Sequence, residues 1–154
     1  MFRRTLPVLA VIALFAVPAV AQANDASVRA AIKRTGHELK GSPELKSALT
    51  GLKSGPKTLA KVRTAAKALL TALHEAAHTV AQTHASSARG KEGEKDWLAG
   101  VRKLSLGFED LIVGIDDAKA HHKSAAKAKL KAALLDIKAG AVLGHKGDQL
   151  LGVS

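Results

Sequence analysis

Five consecutive residues carry the strongest chemical signal in the chain. His74, Glu75, Ala76, Ala77 and His78 form an H-E-x-x-H sequence. On a helix, residues four apart stack on one face, so the imidazoles of His74 and His78 stand ready to share a zinc ion. Glu75 beside the first histidine would then take a proton from a metal-bound water. A weaker grouping is Asp117 and His121 at i and i+4, flanked by Asp116 and His122. Such a cluster can hold a divalent ion, or its carboxylates can pair with nearby lysines while protonated histidine favours the negative end of a helix. His37 and His145 stand alone. Glu75 to His78 is also one E-x-x-H, the element that di-iron bundles use twice, and no second copy exists.

The spacing extends beyond the pentad. His84 follows His78 by six residues, so the segment from His74 to His84 resembles the H-E-x-x-H-x-x-G-x-x-H pattern of the metzincin peptidases. That resemblance implies His74, His78 and His84 as zinc ligands and Glu75 as the general base of a zinc-dependent hydrolase. It covers this segment alone. Ala81 stands where the family has the glycine that ends the helix. If the helix continues, His84 lies about 9 Å beyond His78 along the axis. Met1 is the sole methionine, so the family's methionine turn has no counterpart. The site that the residues themselves support is a surface pair, His74 and His78.

Composition narrows the chemistry further. In 154 residues there is no Cys, which excludes disulfides, thiolate metal sites and a cysteine nucleophile. Aromatic residues make up 3%, too few for an aromatic-lined pocket or a stack of base-binding rings. No phosphate-binding glycine loop, cofactor fingerprint or nucleophile–base arrangement is discernible. The chain reads as non-catalytic, with no cofactor, and with zinc only under the alternative reading.

The elements that must position these residues begin after a leader. Arg3 and Arg4 precede an apolar run from Leu6 to Val17, which Pro18 breaks before the small-x-small sequence Ala21, Gln22, Ala23. This is the layout of a cleaved signal peptide, residues 1–23, and the run is short for a bilayer core that needs roughly 20 residues. The expected mature chain is exported, to the periplasm or the extracellular space, and soluble. Its removal takes away two of the charges behind the net +11.

From residue 24 onward the apolar spacing is helical. Asp25 is placed to cap a first helix with Val28, Ile32, Thr35 and Leu39 on its inner side. Gly41, Ser42 and Pro43 break it, and Leu45, Leu49 and Leu52 start a new stripe in a different register. The third helix runs Leu59, Val62, Ala66, Leu69, Leu73, Ala76, Val80 and Thr83 in steps of three and four. In that heptad frame His74 and His78 fall on the solvent side. The fourth carries Trp97, Val101, Leu104, Phe108, Leu111, Ile115 and Ala118. Gly100, Gly107 and Gly114 each open a heptad of one design: glycine, apolar, two charges, apolar. Glycine within a helix costs about 1 kcal/mol relative to alanine, so three in phase imply a close backbone contact. The small line Thr58, Ala65, Ala72, Thr79 and Ser86 along the third helix is the expected partner. Ser124 would cap a fifth helix with Leu130, Leu134, Ile137 and Ala141 inward, ending near Gly144. The expected fold is all-α: an antiparallel up-down bundle over 24–144 with four arms, the first broken near Gly41 to Pro43. Residues 145–154 form a C-terminal tail, free to dock or to fray.

Charge completes the sequence picture. Lys and Arg number 24 against 13 Asp and Glu. Lys119, Lys123, Lys127 and Lys131 form an i, i+4 ladder, with Lys129, Lys138 and Lys146 nearby, while Glu109, Asp110, Asp116 and Asp117 make an acidic stripe on the preceding helix. Part of the ladder can face that stripe. The remainder attracts anionic polymers or membrane surfaces. The expected function is a small exported basic bundle that binds a protein partner or an anionic envelope component, with no nucleic acid.

Overall fold

The computed structural model describes residues 24–37 and 59–153. These fall into four helices: α1 (24–37), α2 (Leu59–Ala81), α3 (Ala88–Lys119) and α4 (Lys123–Leu151). No strand occurs among the described residues, and no described helix is long and apolar enough to cross a membrane. The leader, the break near Gly41 to Pro43 and the Leu45, Leu49, Leu52 stripe lie outside them.

α3 is the central element, packed against α2 and, more extensively, against α4. Towards α2 the two heptad stripes close as their spacing requires. Val62, Leu69, Leu73 and Val80 are buried against Trp97, Val101, Phe108, Leu111 and Ile115. Val28 and Ile32 of α1 join this core, and the buried Thr35 satisfies its hydroxyl on the Ala31 and Ile32 carbonyls at 3.0 and 3.1 Å. The Arg63 guanidinium donates to both oxygens of Asp116 at 2.7 and 2.8 Å, joining the start of α2 to the end of α3. The two helices therefore run antiparallel.

The glycine line faces α4, not α2. A Cβ built on Gly100 would lie 2.5 Å from the Gly144 nitrogen and 2.8 Å from the Gly140 oxygen. On Gly107 it would meet Ile137 Cγ1 at 2.6 Å and the Ile137 nitrogen at 2.9 Å, and on Gly114 the Leu130 side chain at 3.0 Å. Gly93, one heptad earlier, faces Leu151, Leu150 and Gly147. From the other side, a Cβ on Gly140 would lie 2.7 Å from the Gly100 oxygen, and one on Gly147 2.7 Å from the Gly93 oxygen. Gly93, Gly100, Gly107 and Gly114 thus run antiparallel to Gly147, Gly140, Ala133 and Ala126, all of them buried. Side chains cannot fit between backbones this close, so small residues at heptad spacing make the seam.

That seam corrects the expectation for the last helix. Of the residues expected inward, Leu134 is 67% exposed and Leu130 and Ala141 are exposed as well, while Ile137 is half-buried against the core. The helix also continues past Gly144 to Leu151, which is buried in the core. It ends on Gly152, whose φ of 66° lies in the left-handed region that favours glycine. The Arg89 guanidinium donates to the Leu150 carbonyl at 2.9 Å and ties this end to the start of α3. Most of residues 145–154 is therefore docked helix. At the other end His122, not Ser124, occupies the cap position, and it makes no side-chain cap bond.

Asp25 also differs from its expected role. It lies within α1 and does not cap that helix; its carboxylate instead accepts from the Ser86 and Ser87 amides at 2.9 and 3.2 Å and from the Ser87 hydroxyl. Ser87 Oγ accepts in turn from the Gly90 amide at 2.8 Å, as the N-cap of α3. Burial works against ionisation of Asp25, but the Ser87 hydroxyl, the two amides and Arg29 together hold its carboxyl below the usual carboxylate range.

Candidate functional site

The inward stripe of α2 fixes the outward direction of its polar residues. His74, Glu75 and His78 are exposed, as the heptad frame requires. His78 Nε2 lies 3.4 Å from Gln82 Nε2. The helix stops at Ala81 without a glycine: the Thr83 amide and hydroxyl both donate to the Val80 carbonyl, at 3.0 and 2.7 Å. His84 follows with φ 37°. The chain therefore turns just after Ala81, two residues before the end of the heptad stripe at Thr83, and the helix does not continue through His84.

His74, His78 and His84 line one open groove of about 1180 Å³. α2 forms one wall, α3 supplies the floor and second wall, and Leu143 of α4 contributes at the far edge. Its lining includes the aliphatic Ala77 of α2 and Leu98 and Leu106 of α3, with the exposed Lys91, Lys95 and Arg102 at the rim. These α3 residues follow helical spacing from position 91 to 109, beside the glycine heptads of the same helix. Ser105 is 6% exposed in this floor, and its hydroxyl has no hydrogen-bond partner among the described residues.

The three imidazoles share a groove without converging. No group of three or more His, Asp or Glu side chains among the described residues is placed to hold a metal ion. His84 Nδ1 lies 3.8 Å from Glu94 Oε1, and the other oxygen of Glu94 accepts from the Ala85 amide at 2.7 Å. The His74 and His78 pair therefore stands at one helix face and His84 beside a carboxylate already engaged with the turn. The second sequence cluster is divided as well. Asp116 is held by Arg63, while His122 Nδ1 lies 3.6 Å from Asp117. The hydrogen bond from Arg63 keeps Asp116 below the usual carboxylate range and raises the guanidinium in return.

The acidic stripe of α3 is engaged across the glycine seam. Lys129 bonds Asp110 at 2.7 Å, Lys103 bonds Asp136 at 2.8 Å, and Lys146 bonds Asp96 at 2.7 Å. Their hydrogen bonds to these carboxylates raise both Lys129 and Lys146. Lys91, Lys95 and Arg102 by the groove, and Lys123, Lys127, Lys131 and Lys138 on α4, are exposed and have no carboxylate partner among the described residues. Surplus positive charge thus lines the groove rim and the outer side of α4, and Lys33, Lys61, Lys67 and Lys119 add exposed cations on the other helices.

No protein-family model matches this chain, and no curated protein or solved structure matches it either.

Proposed function

We propose that the chain is exported after loss of residues 1–23, folds as an up-down bundle of four arms, and acts without catalysis. It binds a protein partner or an anionic component of the envelope through its basic surface. The observation that carries this reading is the division of charge. Carboxylates on α3 and α4 pair with Lys103, Lys129 and Lys146 between the helices, while the unpaired lysines and Arg102 point outward. Electrostatic attraction of this kind is strong at low salt and screened within about 10 Å at 0.1 M. The test is fractionation of the host envelope in low and high salt. The protein should sediment with the envelope in low salt and be released by high salt. Its absence from the envelope in low salt, or retention that salt does not touch, would contradict the proposal.

A second reading is favoured by the three histidines that line one groove. The His74 and His78 pair would hold a divalent metal such as zinc, and Glu75 would serve as base if that site were hydrolytic. Calorimetric titration with zinc distinguishes it. Metal binding should survive high salt and vanish in His78→Ala. No uptake by the protein without a histidine tag would retire the metal reading.

A further inference from the structure

The glycine and alanine seam has a consequence for the opposite side of α4. Ala126, Ala133, Gly140 and Gly147 occupy the buried face, and three bulky aliphatics, Leu134, Leu135 and Val142, are displaced outward. Leu134 is 67% exposed, Leu135 60% and Val142 68%. At 100° per residue, Leu134, Lys138, Lys131, Val142 and Leu135 share one arc of about 100° on the helix surface. Lys127 falls within the same arc, and Lys123 lies beside it. The acids of α4 are Asp136 and Asp148, and neither lies on this arc: Asp136 bonds Lys103 across the seam, and Asp148 is half-buried.

We propose that this outer face of α4 docks on an anionic lipid bilayer, with the helix lying in the interface plane. This rests on the reading of the protein as a binder of anionic envelope components, and it specifies both the component and the face. Two features of the arc require two features of the partner. Lysines with no carboxylate among them call for a negative surface. Leucines and valine interleaved with them call for an apolar phase immediately beneath that surface, which a soluble polyanion lacks. The face is also a convex helical ridge, the shape that lies against an extended interface. Lysine stems can run along the aliphatic side chains while their ammonium groups remain at headgroup level.

Co-sedimentation of the exported full chain with vesicles tests the proposal. Phosphatidylcholine mixed with phosphatidylglycerol is compared with phosphatidylcholine alone, and soluble polyphosphate serves as a polyanion without an apolar phase. The protein should bind the mixed vesicles and not the neutral ones. Leu134→Gln combined with Leu135→Gln should weaken vesicle binding roughly tenfold or more and leave polyphosphate binding unchanged. Lys131→Gln and Lys138→Gln should each weaken it about fivefold. Lys95→Gln with Arg102→Gln, on the groove rim, should leave vesicle binding intact.

Five outcomes would overturn the docking face. Polyphosphate binding without vesicle binding would leave the general reading standing and refute the membrane. Binding to neither would remove both. Vesicle binding unaffected by the leucine substitutions, or abolished only by the groove variants, would assign it to charge alone or to the other face. Self-association of the wild-type chain that Leu134→Gln abolishes would assign the face to a second copy. The lysine variants and the comparison of vesicles remain decisive if the leucine variant fails to fold.

Discussion

A single carboxylate joins α1 to the turn between α2 and α3. Asp25 accepts from two successive amides and from the hydroxyl that caps α3, so its charge contributes to stability only while it is ionised. Its carboxyl is held below the ordinary range in the folded chain. That contribution is therefore complete above the unfolded value of about 3.9 and is lost as pH falls through the folded one. Asp25→Asn should cost about 1 kcal/mol at pH 7, the usual scale for a lost cap. The gap to wild type should close in acid, as measured by urea unfolding followed through Trp97, the sole tryptophan. A gap that stayed constant down to acid pH would show that the carboxylate's charge is not what matters. Sequence reading placed Asp25 at a helix start but chose the wrong helix, because a cap across the fold leaves no local spacing to read. His74 and His78 were legible as exposed because their inward neighbours fix the phase of α2. His84 was not, since Ala81 gives no sign that the helix will end there.

At the scale of the helix pair, stability depends on backbones that touch. Gly100→Ala would gain roughly 1 kcal/mol of helix propensity but force a Cβ to within 2.5 Å of the Gly144 nitrogen. Backbone offers no rotamer to yield, so the net effect should be a loss of about 1–3 kcal/mol. Gly144 is the control: it lies in the same seam region, yet a Cβ there meets nothing within 4 Å. Gly144→Ala should therefore stabilise the protein by about 1 kcal/mol. Opposite signs from these two changes in chemical denaturation would establish the seam, and a stabilising Gly100→Ala would place its glycine on solvent.

The glycine repeat itself was evident from sequence, and so was its need for a close neighbour. Its partner was misassigned because α2 and α4 both carry a small line at heptad spacing. On α4 that line is Ala126, Ala133, Gly140 and Gly147, inconspicuous in a helix where alanine is the commonest filler. Leu130 and Leu134 looked like the buried stripe because burial is ordinarily assigned to the largest aliphatics. Here the approach of two backbones turns Leu134 outward, while Leu130 lays its side chain against Gly114.

For the whole molecule, charge placement connects fold to function. Ion pairs across the seam and between α2 and α3 engage Asp96, Asp110, Asp116 and Asp136, and these same pairs leave the outer lysines without partners. All-helical architecture and basic balance were readable from composition and period alone. Which lysines pair could not be read, because that depends on how α3 and α4 are set against each other. The central claim is that the outward charge recruits an anionic partner, and its most direct test is the protein's affinity for polyphosphate across a salt series. The account predicts binding at low salt that weakens by about tenfold or more as salt rises through the physiological range. No binding at low salt, or an affinity unchanged across the series, would contradict it.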